Sequence, residues 1–109
     1  MRYNLERLEK GNVRIQRMMA CGGGARSQVW LQIKADILKC EILPVQQEET
    51  GAMGSAILGF AAVLGEKPLT LATRYWQYAP PVRPNPVHAK IYDKRYELYK
   101  KYRAWMKEN

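Results

Sequence analysis

The spacing of hydrophobic residues changes several times along the chain, and each change marks a predicted element. Leu5 and Leu8, surrounded by charged residues, predict a short amphipathic helix that ends at Gly11. The apolar positions of residues 13–20 predict a strand that becomes fully buried towards its end. The chain therefore enters the glycines at 22–24 from a strand.

A helix and a second strand are predicted after these glycines. Ser27 is suited to cap the helix, because its hydroxyl can accept a hydrogen bond from a backbone N–H of the first turn. Apolar residues at helical spacing extend this helix over residues 28–39. Residues 41–46 predict a short strand, which Pro44 confines to a sheet edge or to a strand end. The local order is therefore strand, glycine turn, helix and strand.

Residues 51–64 form the longest apolar run, with small residues scattered through it. Glu48 and Glu49 precede the run, where acidic side chains favour the start of a helix. A helix of this composition is predicted to be buried and to pack close to neighbouring backbone. A leucine in place of Gly59 is then expected to overpack the interior. The run is shorter than the roughly 20 residues that span a bilayer.

The last third of the chain predicts two more helices joined by prolines. Residues 69–78 favour a helix, and the four prolines within 80–86 favour an extended connector. Asn85 is placed to cap a last helix that begins at Pro86 and runs to about residue 107. Its apolar and aromatic side chains form one broad stripe: Ile91, Tyr92, Tyr96, Leu98, Tyr99, Tyr102, Trp105 and Met106. The stripe predicts a helix docked on a core, although its aromatic and basic residues would also suit nucleic-acid binding.

Length and charge narrow the classes of protein that remain. The 109 residues suffice for one compact domain with a real core, and a second full domain is excluded. The net charge of +8 would attract polyanions of any kind. Cys21 and Cys40 lack the spacing of a zinc site or a disulfide framework, so reduced thiols are expected. The charged N-terminus does not resemble a secretory signal, and we expect a soluble, cytoplasmic protein that does not bind membranes.

The glycine turn is the strongest candidate for chemistry. Gly22, Gly23 and Gly24 lack Cβ atoms and so allow the backbone to approach a ligand closely. The helix that follows would direct free N–H groups and its positive dipole end to the same place, which favours a phosphate. The pattern is neither GxGxxG nor a P-loop, because Arg26 and Ser27 follow the glycines. On these residues alone, a tight turn without a ligand is the simpler interpretation.

Two longer motifs give the turn a context. The residues CGGGARS at 21–27 and WLQIKADIL at 30–38 resemble the signature GGGARSxxWxQIxADIL of the FGGY carbohydrate kinases. The residues ETGAMGSAIL at 49–58 resemble the ExxALGAAIL helix of the same family. The resemblance extends over residues 5–65, and the tyrosines of the last helix match the family's closing YxxxYxxxY helix more loosely.

The resemblance implies an α/β fold, with the chain forming a partial RNase H-like domain of the actin/Hsp70/hexokinase-like ATPase fold and a C-terminal helix. Residues 1–109 would be the C-terminal part of the kinase C-terminal domain, on its nucleotide-binding side, with the connector 80–86 inside it. Carried over by position, Gly22, Gly23 and Gly24 would contact ATP through their backbone. Ala25 and Ser27 would border the adenine and the ribose. Glycerol kinases have Asn at the place of Ser27, which leaves the role of this side chain open.

The activity that the resemblance implies is phosphoryl transfer from ATP to a sugar hydroxyl. The transfer needs a base, Mg²⁺ and donors around the γ-phosphate, which the family supplies from its N-terminal domain and from the first hairpin of its C-terminal domain. We therefore expect no catalytic residue and no metal ligand in this chain, and no turnover by the chain alone.

The sugar is expected to bind to the N-terminal domain. The residues GGGARS, together with the tyrosine-rich tail, favour a xylulokinase-like or ribulokinase-like pentulose kinase. An open sheet edge and an exposed apolar surface favour self-association of the isolated chain. The alternatives are a small basic nucleic-acid-binding module and a noncatalytic nucleotide-binding fragment. The predicted docking of the last helix on a core disfavours the first of these.

Several other residues have both a structural and a functional interpretation. Gln32 and Asp36, four apart on one helix, are predicted to make structural hydrogen bonds and to take no part in catalysis. His88 is predicted to lie at the surface, and Cys21 to be a small buried hydrophobe at a strand end. Arg26 suits a phosphate and a carboxylate equally.

Overall fold

The computed structural model describes residues 1–47 and 49–108. Glu48, one of the acidic residues that precede the apolar run, lies outside the described residues. The elements in chain order are α1 (Arg2–Lys10), β1 (Arg17–Ala20), a 3₁₀ turn (Gly23–Ala25), α2 (Gln28–Leu38), β2 (Glu41–Pro44), α3 (Thr50–Leu64), α4 (Pro68–Tyr75) and α5 (Pro86–Glu108). The α/β class and the order of elements agree with the prediction.

Strand β2 lies between two backbone partners. On one side it pairs in parallel with β1, and Arg17 stands opposite Glu41. On the other side the proline-rich connector pairs antiparallel with it, because Ile42 and Val82 exchange backbone hydrogen bonds of 2.8 and 2.9 Å. Pro44 is the last residue of β2, so the predicted strand end is confirmed, but the strand is not an edge.

A hydrophobic core cluster lies between α2 and the strands. Leu31 and Ala35 of α2 are fully buried and pack with Ile42 of β2. Met18 of β1 packs against this cluster, whereas Met19, on the opposite face of the strand, is 65% exposed. The prediction of a strand over residues 13–20 that becomes fully buried is therefore wrong, because the strand begins at residue 17 and α2 covers one of its faces.

Helix α3 packs on α4 along a narrow face. Ile57 and Ala61 are buried against Leu71 of α4. Most other large side chains of α3 point outwards, and Val63 is 83% exposed. The prediction of a buried helix over residues 51–64 is wrong in this chain, because α4 covers only one face. A Cβ added at Gly59 would meet nothing within 4 Å, so the expected overpacking at this position is wrong as well.

Helix α4 ends at Tyr75, three residues earlier than the sequence predicts, because the chain then extends to pair with β2. The backbone N–H of Gln46 donates to the carbonyl oxygen of Gln77 at 3.0 Å, and that of Ala79 donates to the carbonyl oxygen of Pro44 at 2.9 Å. The connector of residues 80–86 thus continues a paired segment. Within the described residues, no helix is long and apolar enough to span a bilayer.

Helix α5 is docked through its first half. Asn85 caps it, since its side-chain oxygen accepts a 2.9 Å hydrogen bond from the backbone N–H of Val87. Ala89 and Tyr96 are buried. Other large apolar side chains of the stripe are between 46% and 63% exposed: Ile91, Leu98, Tyr99, Tyr102, Trp105 and Met106. The predicted docking is therefore confirmed for the first half and wrong for the second, and the expected exposed apolar surface is present.

Ion pairs join α5 to α1 and to the end of α2. Asp93 accepts from Arg2 Nη1 and Lys39 Nζ, both at 2.7 Å. The two cations, Lys39 first, lower the pKa of the Asp93 carboxyl below its usual range. Tyr96 donates its hydroxyl to Glu6 at 2.8 Å, and burial together with this bond raises the pKa of Tyr96 to about 12. Beyond Asp93, helix α5 therefore lies past the C-terminal end of α2.

Candidate functional site

The glycine turn begins with a backbone conformation that requires glycine. Gly22 has φ 79° and ψ −172°, a region that is essentially closed to residues with a Cβ atom. The turn is closed by two backbone hydrogen bonds, from the N–H of Ala25 to the carbonyl oxygen of Gly22 at 2.9 Å and from the N–H of Arg26 to that of Gly23 at 3.2 Å. The conformation of Gly22 thus redirects the chain from β1 towards the start of α2.

Ser27 caps α2, as the sequence predicts. Its side-chain oxygen accepts a 3.2 Å hydrogen bond from the backbone N–H of Trp30, and its carbonyl oxygen accepts one of 2.9 Å from Leu31. Ser27 has φ −91° and ψ 110°, the extended conformation usual at a helix N-cap. The cap fixes the helix start immediately after the turn.

The outer face of the turn is open. Gly22, Gly23, Gly24 and Ser27 are exposed, and Ala25 is half-buried. Within the described residues, the N–H groups of Gly23 and Gly24 make no backbone hydrogen bond. A Cβ added at Gly23 would meet nothing within 4 Å. The turn therefore offers backbone donors and the positive end of α2 to a ligand, and this chemistry suits an anion such as a phosphate.

Sequence reasoning did not single out the two side chains that flank this face. A Cβ added at Gly24 would lie 3.5 Å from Cδ1 of Trp30 and 3.6 Å from Nζ of Lys34. The Lys34 ammonium is 5.4 Å from the centre of the Trp30 ring. Lys34 stands at an unspecified position of the kinase signature, and its spacing of four from Trp30, on the same helix face, is the signal that could have found it.

The predicted pair of Gln32 and Asp36 makes structural hydrogen bonds. Asp36 is 1% exposed, and its Oδ1 accepts from the side-chain nitrogen of Gln32 and from the backbone N–H of Asn85, both at 2.7 Å. Its Oδ2 lies 3.2 Å from Nδ1 of His88. His88 is half exposed, so its predicted surface position is confirmed, although its carboxylate partner was not anticipated. The network joins α2 to the start of α5.

Cys21 is exposed, so the prediction of a buried hydrophobe is wrong. It stands past the end of β1, beyond the core, and borders an apolar groove of about 460 Å³ that Met19, Trp76 and Tyr78 also line. Arg26 was expected to suit a phosphate and a carboxylate equally as its partner, and both interpretations stay predictions. Among residues 1–47 and 49–108, no group of three or more His, Cys, Asp or Glu side chains is arranged to hold a metal ion.

Comparison with known proteins extends these observations. Residues 1–63 match the C-terminal domain of the FGGY family of carbohydrate kinases. The xylulose kinase of Haemophilus influenzae is 35% identical over 57 residues, which are 52% of this chain and 12% of that protein. The L-fuculokinase of Escherichia coli is 34% identical over 64 residues, 58% of this chain and 14% of that protein.

A solved structure covers nearly all of the chain. The crystal structure of a xyloylose kinase from Brucella ovis aligns with a TM-score of 0.79 and 31% sequence identity, over 97% of this chain and 22% of that one. The chain thus spans less than a quarter of the length of these three relatives.

The chain therefore belongs to the FGGY family of carbohydrate kinases, and it corresponds to part of the family's C-terminal domain. Its fold is part of the actin/hexokinase-like ATPase fold, as the resemblance implied. The family match ends within α3, and the structural similarity extends to the elements that follow. Gly22, Gly23, Gly24, Ala25 and Ser27 all lie within the matched residues.

Proposed function

We propose that this chain is part of an ATP-dependent sugar kinase and supplies the turn that contacts the adenosine and the α-phosphate of ATP. One observation carries the proposal. Between a strand and a capped helix, three exposed glycines form a turn in which the N–H groups of Gly23 and Gly24 make no backbone hydrogen bond within the described residues. Membership of a carbohydrate kinase family supports the nucleotide as the ligand.

The residues of the turn fit a nucleotide in distinct ways. Gly23 and Gly24 can donate their backbone N–H groups to phosphate oxygens, and Gly22 holds the conformation that exposes them. Ser27 accepts the capping bond through its oxygen and keeps its own hydroxyl proton for a ribose or adenine acceptor. Ala25 is small enough to leave room for the base or the sugar. These roles need no movement of the helix start.

The rest of the kinase supplies the remaining parts of the proposed reaction. Phosphoryl transfer to a sugar hydroxyl uses a base, and bound Mg²⁺ neutralises charge on the ATP phosphates. We place the base, the Mg²⁺ ligands and the sugar site outside this chain, which spans at most 22% of the relatives described above. The chain alone is then inactive as a kinase. A pentulose as the sugar and a cytoplasmic location stay predictions.

Substitution of Gly23 by valine tests the role of the turn. The new side chain meets no protein atom within 4 Å of its Cβ, so any loss of ATP affinity reports on the ligand. Gly59→Val is the matched control, because its Cβ also meets open space but lies on α3. We expect Gly23→Val to weaken ATP binding in calorimetric titrations, with Gly59→Val unchanged. Unaltered ATP affinity in a folded Gly23→Val chain would contradict the proposal.

We also propose that the isolated chain self-associates. The exposed side chains of α3 and of the second half of α5 leave apolar surface in contact with water. Light scattering should therefore report a molar mass above that of the 12.6 kDa monomer. A strictly monomeric chain at high concentration would contradict this proposal and leave the nucleotide proposal untouched.

A further inference from the structure

Lys34 brings a positive charge to the glycine turn. It lies on α2, one helical turn after Trp30, and side chains on a helix lean towards its N-terminus. The ammonium therefore reaches back over the indole, 5.4 Å from the ring centre, and lies 3.6 Å from the position of a Cβ added at Gly24. Trp30 is 48% exposed and Lys34 is partly exposed, so a ligand at the turn can reach both.

This arrangement holds the charge where an anion would bind. The face of the indole attracts the ammonium and favours the conformation in which it stays near the turn. The ammonium has three N–H donors and no acceptor, so it can stabilise a phosphate oxygen while remaining over the ring. Gly24, whose N–H makes no backbone hydrogen bond within the described residues, is the glycine of the turn that lies beside this charge.

We propose that Lys34 is a specificity residue of the turn: it contacts a phosphate group of the bound nucleotide and so selects nucleotides over unphosphorylated nucleosides. The proposal rests on the proposed function of the turn. It assigns one part of this selection to the Lys34 side chain, in addition to the backbone donors of the glycines, which act on the anion whatever residue stands at position 34.

The test compares the affinities of the 109-residue chain for ATP and for adenosine, by calorimetric titration of the wild type and of variants. Lys34→Met removes the charge but keeps a long, unbranched side chain over the indole. We expect it to weaken ATP binding about three- to fivefold, the size typical of one exposed charge pair, and to leave adenosine binding unchanged. Lys34→Arg should restore most of the ATP affinity, because it keeps the positive charge.

Lys101→Met is the matched control. It lowers the net charge of +8 by the same one unit, but it lies on the part of α5 that extends past the C-terminal end of α2, away from the turn. ATP affinity that is equal in Lys34→Met and wild type would overturn the inference and leave the proposed function intact. Equal losses for ATP and adenosine would also overturn it. A wild-type chain that binds neither compound would overturn the proposed function and this inference together.

Discussion

Replacement of Asp36 by alanine should loosen the attachment of the last helix and destabilise the chain. This buried carboxylate accepts hydrogen bonds from the Gln32 side chain and from the backbone N–H of Asn85, both at 2.7 Å, and it pairs with His88 at 3.2 Å. Alanine removes both oxygens at once. The start of α5 then loses its hydrogen bonds to residue 36 of α2.

The loss of stability depends on whether each hydrogen-bond partner of Asp36 finds another partner in the variant. Hydrogen bonds to a charged group contribute about 1.5–3 kcal/mol each. Gln32 retains the carbonyl oxygen of Arg83 at 2.9 Å, and His88 is half exposed and can bind water. The largest loss falls on the N–H of Asn85. We therefore expect the free energy of unfolding to fall by about 2–4 kcal/mol.

Urea unfolding followed by circular dichroism measures this difference. Asp36→Asn keeps one oxygen that can accept from Asn85 and loses the charge, so its cost should be smaller, about 1–2 kcal/mol. Glu97→Gln is the control, because it removes an exposed carboxylate of α5 and should change stability by less than about 0.5 kcal/mol. If Asp36→Ala unfolds at the same urea concentration as Glu97→Gln, the network does not anchor the helix and this reasoning is refuted.

Three further predictions concern stability and use the same urea measurement. Gly22→Ala should cost about 1–3 kcal/mol because of its glycine-only conformation, whereas Gly23→Ala should cost little; equal costs would contradict the turn geometry. Gly59→Leu should stabilise the chain by about 0.5 kcal/mol through helix propensity, and a clear loss would mean that α3 is covered there. Arg83, and then an arginine of β1, lower the pKa of Glu41 in the folded chain. The stability that Glu41 contributes is therefore present above its unfolded pKa of about 4, and it is lost as the pH falls through its folded pKa. Glu41→Gln should therefore make the acid loss of stability shallower, and an unchanged pH profile would count against these pairs.

Local features of the fold could be predicted from the sequence because short-range rules govern them. The cap at Ser27 and the cap at Asn85 depend on hydrogen bonds within one helical turn, and both are present. The glycine turn follows from a conformation that only glycine adopts easily, here at Gly22. The family signature then placed these local features in one known order.

Burial could not be predicted in the same way, because it depends on which elements meet. The run 51–64 is apolar enough to be a core helix, but α4 covers only one of its faces. The proline-rich connector has no strand pattern. Val82 nevertheless pairs with β2, because this residue between the connector's prolines has a backbone N–H that can donate a hydrogen bond. Two partners of Asp36, Asn85 and His88, lie about 50 positions further along the chain, which spacing within one helix cannot reveal. Its spacing of four from Trp30 places Lys34 on the same helix face, but the role that we propose for it depends on where its ammonium lies.

The most direct test of the central claim follows the backbone amide resonances of an isotopically labelled chain while ATP is added. We expect the largest changes at Gly23, Gly24 and the first turn of α2, with the amides of α4 unaffected. Adenosine should perturb part of the same set, because it lacks the phosphates. Resonance changes confined to the basic helix α5, with the glycine turn unchanged at saturation, would contradict the assignment of this turn as the nucleotide contact.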